Sequence, residues 1–252
     1  MRVPLRGARA AFAFLTRIPV GGHPYASTEW AWAPAHFPLV GLVLGGALAA
    51  LHRLLWPLGP LADAAFVVGA SLLLTGALHE DGLADTSDAL GGATDRQRVM
   101  EILKDSRVGT FGACALVVSM VGRIVLLGQI GRSAVWALPL VGCAARVGPV
   151  WQMVALPHVS RATAKSGDVL GAALPQALSA SAWLVAAAAG VVLLHGVSGP
   201  RIAALTAALA LVTIVSGRTY ARRLGGITGD FLGATEQLCE LAGYAVLAWE
   251  AR

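Results

Sequence analysis

Long apolar runs follow one another along most of this 252-residue chain, and they constrain its fold more than any other feature. They can be read at residues 37–56, 61–78, 109–130, 134–156, 178–197, 202–220 and 231–249. Each is close to the roughly 17 to 25 residues that a helix needs to cross a hydrocarbon core of about 30 Å. Charged residues make up 13% of the chain and hydrophobic ones 56%, whereas a soluble domain carries nearer ~25% charged residues. The reading is all-α: a polytopic integral membrane helix bundle of about seven transmembrane helices, forming one domain over residues 1–252. The runs at 37–56 and 202–220 are the weakest of the seven, and His52 and Arg53 can snorkel from the end of the first.

Residues 1–20 have a basic start but only a short apolar part, cut by Arg17 and with no small-residue cleavage site after it. They read as an amphipathic helix lying in the membrane interface. Cys114, Cys143 and Cys239 all fall inside apolar runs without metal or redox spacing, which makes them packing residues. With the N-terminus in the cytoplasm, one face receives Arg2, Arg6, Arg9, Arg17, Arg96, Arg98, Lys104, Arg107, Arg161, Lys165, Arg222 and Arg223. The other keeps Arg132, Arg201, Arg252 and Arg53. That bias orients the bundle by the positive-inside rule. It also accounts for the net charge of +5 without nucleic acid as a partner.

Against this background, Glu80-Asp-Gly-Leu-Ala-Asp-Thr-Ser-Asp88 places four carboxylates in nine residues. On a helix, Asp81, Asp85 and Asp88 (i, i+4, i+7) share one face. Like charges at that spacing repel, so the segment is either a solvated polar face where a helix leaves the membrane or an acidic face neutralised by a hard divalent cation held by oxygen ligands. Glu80 points off the shared face and ranks below the three aspartates. His79 adjoins them as a ligand, a base or a helix-end cap.

Two further polar segments emerge on the same face. In the first, Thr94 or Asp95 can cap a short interfacial helix, with Gln97 in capping-box spacing to Thr94. That helix would present Arg98, Lys104 or Arg107 beside the acids, which suits a phosphate or pyrophosphate substrate or, as the alternative, anionic lipid headgroups. The Gly109-Thr-Phe-Gly112 that follows reads as a close-approach loop. In the second segment, Asp230 is bracketed by glycines, and Glu236 and Glu240 follow at i and i+4 in the last run. Glu240 falls inside the membrane, where an ionisable group is functional unless it is paired. Arg123 and Arg146 are both available for such a pair, and Arg146 could instead face substrate.

The runs Leu78–Asp88, Met100–Gly112 and Gly225–Ala234, with Phe14-Leu-Thr-Arg-Ile-Pro19, Phe37-Pro-Leu-Val-Gly41 and an Arg at Arg146, resemble the cobalamin synthase family, also called adenosylcobinamide-GDP ribazoletransferases. The likeness runs from about residue 12 to 245. It implies that adenosylcobinamide-GDP and α-ribazole, or its 5′-phosphate, react to give adenosylcobalamin, or its 5′-phosphate, and GMP, with Mg2+ as cofactor. It further implies that Asp81, Asp85 and Asp88 bind metal, that Lys104, Arg107 and Arg146 neutralise phosphate, and that Asp230 is a further ligand or the base. Arg17, Thr110 and Glu240 join Arg146 as binding residues on the same basis. The location implied is the cytoplasmic (inner) membrane with the site facing the cytoplasm. The lipid bilayer is the one other partner, and a homo-oligomer stays open.

Two alternatives compete with this reading. A CDP-alcohol phosphotransferase carries an Asp-Gly-x-x-Ala-Arg signature, but Asp85 stands where that signature has Arg. A secondary transporter would use Arg123, Arg146 and Glu240 as an intramembrane relay. No internal repeat supports it.

Overall fold

A computed structural model describes residues 7–93, 95–159 and 171–249. The expected cap at Thr94 and the charges at Arg2, Arg6, Arg161, Lys165 and Arg252 fall outside the described residues. Within them all regular structure is helical, apart from one isolated bridge between His158 and Ile227.

Helix α1 (Ala8–Leu15) covers the middle of the expected 1–20 helix. It starts after Gly7, at φ 92° and pressed so closely on the backbone of Trp32 that a Cβ would lie 2.6 Å away. It buries Ala10, Ala11 and Leu15 beside the short α2 (Ser27–Trp32). Helix α3 (Phe37–Leu55) crosses to the far end of the bundle. Its Gly41-x-x-x-Gly45 pair lets it meet a later helix backbone to backbone, the contact through which small residues drive helix association in lipid.

The return helix α4 (Pro60–Thr75) stops three residues before the expected end at 78. Gly76 and Ala77 both adopt left-handed backbone (φ 66° and 56°) and turn the chain by 91° into α5 (Leu78–Gly92). Ala77 has no glycine's freedom there, so its conformation is strained and held by its surroundings. The short α6 (Arg96–Ile102) follows, capped by Asp95 Oδ1, which accepts from Arg98 N at 2.9 Å.

Helix α7 (Thr110–Ile130) runs to the far end, and the chain reverses at Gly131 (φ 60°). The next expected span is two helices, α8 (Ala134–Ala145) and α9 (Val147–Ala155), interrupted at Arg146. Pro149 explains the break: without an N–H it cannot bond the Ala145 carbonyl that a continuous helix would offer it. Helix α8 lies antiparallel to α3, with Gly142 on Gly41 and Leu138 on Gly45. Then come α10 (Leu174–His195), α11 (Gly199–Leu224) and α12 (Gly229–Trp249).

Four helical stretches among the described residues are long and apolar enough to cross a membrane, or five if α4 and α5 count as one bent span. Glu236, Gln237 and Glu240 reduce the apolar character of α12. A core of alanine, leucine and valine, including Leu138, Leu140, Val141, Leu205 and Leu247, fills the far half of the bundle. A second cluster, with Leu15, Phe37, Tyr220 and Phe231, underlies the end where α5 lies.

Candidate active site

Helix α5 lies across one end of the bundle because of the bend at Gly76 and Ala77. Glycine lets the N-terminus of α12 close onto it. A Cβ at Gly82 would stand 2.8 Å from the Asp230 carbonyl, and one at Gly233 would stand 3.4 Å from the His79 Cα. This crossing sets Asp230 beside the acidic face of α5. On that face Asp81 is exposed, Asp85 is half-buried and Asp88 is buried.

The three aspartates differ in what they do. Asp88 accepts from Gly109 N at 2.7 Å with one oxygen and from Gly112 N at 2.9 Å with the other. It ties the 104–109 loop and the start of α7 to α5, satisfying amides that a helix N-terminus leaves open. A Cβ on Gly109 or Gly112 would run into that carboxylate. Asp85 has its pKa raised to about 6, first by burial and then by the charges of Asp81, Asp230 and Asp88. Such mutual repulsion is what a bound cation relieves.

Asp81 and Asp230 line a cavity of about 140 Å³ together with His79, Arg146 and Glu236. Phe14, Phe37, Leu78, Pro149 and Met153 form its apolar side, and Phe14 and Phe37 stack there at 5.9 Å. A space of this size holds a phosphate or one aromatic ring.

Arg146 sits in the break between α8 and α9, 5% exposed. Its Nη1 donates to Gly142 O at 2.8 Å and lies 2.9 Å from Glu236 Oε1. The Glu236 contact is close but off hydrogen-bond geometry, so that oxygen has charge nearby and no directed donor. Arg123 is 2% exposed and joins Glu80 and Glu240, at 3.0 Å each. Glu80, which the helical face ranks below the three aspartates, and Glu236, to which the spacing assigns no role, are both ion-pair partners inside the bundle. The available signal was the match between buried acids and the two arginines of the apolar runs. The pairing leaves none of Arg123, Arg146 and Glu240 as an unpaired transporter relay.

Other expected residues stand apart from this cavity. Lys104, Arg107 and Thr110 are exposed and outside its lining, and Arg107 is engaged by Asp105 at 2.6 Å. Glu240 borders a smaller neighbouring space with Arg146 and Tyr244. Arg17 is at the hinge instead: its backbone N–H donates to Leu74 O at 2.8 Å, and its guanidinium covers Gly76, where a Cβ would collide with it.

The donor chemistry suits a hard cation. Among the described residues no three His, Cys, Asp or Glu side chains are gathered to enclose one by themselves. Mg2+ does not require such a cage: it keeps several waters and is held through one or two carboxylates plus substrate phosphates.

A family model described as cobalamin-5-phosphate synthase matches residues 7–248. The chain belongs to that family. Among its curated relatives, the adenosylcobinamide-GDP ribazoletransferase of Polaromonas naphthalenivorans is 39% identical over 94% of this chain and 95% of its own length. The enzyme of that name from Leptothrix cholodnii is 38% identical over 95% and 92%. The one from Rhizobium johnstonii is 39% identical over 94% of each chain. No solved structure matches. The matched span includes α1 and its Phe14, so the apolar side of the cavity belongs to the family region as fully as the acids do.

Proposed function

We propose that this chain transfers the phosphocobinamide moiety of adenosylcobinamide-GDP to α-ribazole or its 5′-phosphate, releasing GMP, in a Mg2+-dependent reaction at the cytoplasmic face of the inner membrane. The observation that carries this reading is the meeting of Asp81 and Asp230 with Arg146 at one cavity, with Asp85 outside the lining but close enough to feel the charges of both aspartates, in a chain whose relatives bear that activity in their name.

The reaction needs a pyrophosphate held, a leaving phosphate neutralised and a ribose hydroxyl relieved of its proton. Asp81 and Asp85, with Asp230, would hold the cation. When bound, it supplies Lewis-acid stabilisation of the pyrophosphate oxygens. Arg146 is fixed by Gly142 O and Glu236 and presents fixed positive charge to a phosphate in the cavity. Asp230 also qualifies as the base, being half-buried at the cavity wall. Asp88 acts from behind by holding the 104–109 loop. Lys104 and Arg107 reach phosphate only if that loop moves toward the cavity. The corrinoid and guanosine are far larger than about 140 Å³ and would lie over the open face of α5.

Purified protein in liposomes, given both substrates and Mg2+, is expected to release GMP. Asp85→Asn should abolish release with membrane insertion unchanged. Normal turnover by Asp85→Asn would sink the metal assignment, and no GMP with any divalent cation would sink the reading itself.

A further inference from the structure

The far end of the bundle carries a second polar cavity that the reaction does not use. It measures about 460 Å³ and lies between the ends of α3, α8 and α10 and the Gly131–Ser133 turn that joins α7 to α8. Arg53, Arg132, His52 and His195 line it with Trp56 and Trp136, and no lining residue is acidic. The position follows from the helices: α7 begins at the Asp88 contact and ends beside Arg132. Its 21 residues span about 31 Å, one hydrocarbon thickness.

Positive charge is scarce at this end, yet it converges here. Arg132 lies over the Trp56 ring at 5.6 Å, and Arg201 lies over the Trp136 ring at 5.3 Å. For Arg132 the stacking occupies the face of the guanidinium and leaves its N–H rim for oxygen ligands, whereas Arg201 stands outside the lining and its Nη2 donates to Leu247 O at 2.7 Å. Neither Arg53 nor Arg132 reaches a carboxylate among the described residues. Asp63 is 2% exposed, and it bonds His52 Nδ1 at 2.5 Å from behind the lining. Tryptophan is the residue of the membrane–water boundary. Two arginines and two histidines at that depth, rimmed by indoles, match a phosphodiester attached to acyl chains.

We propose that this cavity binds the phosphate headgroup of an anionic phospholipid at the membrane face opposite the acidic site. The proposal rests on the chain spanning a bilayer, and on neither the transfer reaction nor the orientation of the bundle. The lipid would clamp the ends of α3, α8 and α10, which enter the cavity wall from separate elements.

The test compares the full-length chain with an Arg53→Gln, Arg132→Gln double variant in detergent. Each is titrated with dioleoyl phosphatidylglycerol, dioleoyl phosphatidylcholine or inorganic phosphate. Bound lipid is counted by native mass spectrometry and stability is followed by thermal unfolding. Phosphatidylglycerol should bind the wild-type chain and raise its melting temperature, and the double variant should bind it roughly thirtyfold more weakly. Phosphatidylcholine should not distinguish the two, and Arg222→Gln at the other end should behave as wild type. His195→Glu removes neither arginine and should repel the headgroup, so the question remains answerable if the double variant folds poorly. Equal phosphatidylglycerol binding and stabilisation in wild type and both cavity variants would overturn the proposal. Full stabilisation by inorganic phosphate alone would also overturn it, in favour of a free-anion site.

Discussion

Asp85 is the residue whose surroundings say most about the chemistry. Its pKa of about 6 lies above the ordinary 3.8, so the folded chain holds its proton more tightly than the unfolded one does. The stability this contributes is complete below about pH 3.8 and is lost as pH rises through about 6. Above that the ionised cluster works against the fold until a cation neutralises it. Proton and cation therefore compete. Mg2+ affinity, read by calorimetry or by the Mg2+ dependence of GMP release, should weaken below about pH 6 by up to about tenfold per unit. It should be flat from pH 7 to 8, and in Asp85→Asn, which is followed by calorimetry because it releases no GMP, the dependence near pH 6 should vanish. Arg123 gives the contrasting case, since it braces the bundle and touches no cavity wall. Its two pairs at 3.0 Å lie within the bundle, with Glu80 buried and Glu240 nearly so, and Arg123→Ala should cost about 3–5 kcal/mol by stranding both. Neutralising all three, with Arg123→Met, Glu80→Gln and Glu240→Gln, should restore most of that in a denaturation series.

At the level of elements, the site depends on how closely α5 and α12 approach. Gly82→Ala would set a methyl group 2.8 Å from the Asp230 carbonyl, and α12 must retreat. A shift of about 1 Å in a catalytic constellation costs on the order of 100-fold in rate. Gly82→Ala should show that loss in kcat while its melting temperature changes little, whereas Gly46→Ala, where a Cβ meets nothing, should do neither. The acidic face of α5 was legible because residues i, i+4 and i+7 share a helix face whatever surrounds them. The three polar segments were legible because they interrupt apolar runs. The 91° bend was not, since only Gly76 marks it and Ala77 adopts its positive φ under tertiary constraint. The same holds for Asp88, whose partners Gly109 and Gly112 lie 21 and 24 residues away, and for Glu80, whose partner Arg123 is 43 residues away. Helix periodicity carries no information about such pairings.

For the whole molecule, the two ends of the bundle differ in chemistry, and that asymmetry sets how it should sit in a bilayer. The acidic site, the α6 segment and Arg222 and Arg223 at the close of α11 share one end. Arg223 reaches across to Leu90 O and Ala93 O, at 3.1 and 2.6 Å, which fixes α11 against α5. The loop after α10 belongs to the other end, because α10 begins beside Ala31, whose carbonyl accepts from Gln176, and runs 22 residues away. The proposed cytoplasmic orientation of the acidic site rests on counting cations by end, and a guanosine-containing substrate would meet the site there. Single cysteines test this in a Cys114→Ser background, since Cys143 and Cys239 are buried. A membrane-impermeant maleimide applied to inside-out vesicles should label Ser106→Cys and spare Ser198→Cys. In right-side-out vesicles the pattern should invert. Labelling of Ser198→Cys from the cytoplasmic side would reverse the bundle and put the carboxylates of α5 on the face where GMP could not return to the cell's nucleotide pool.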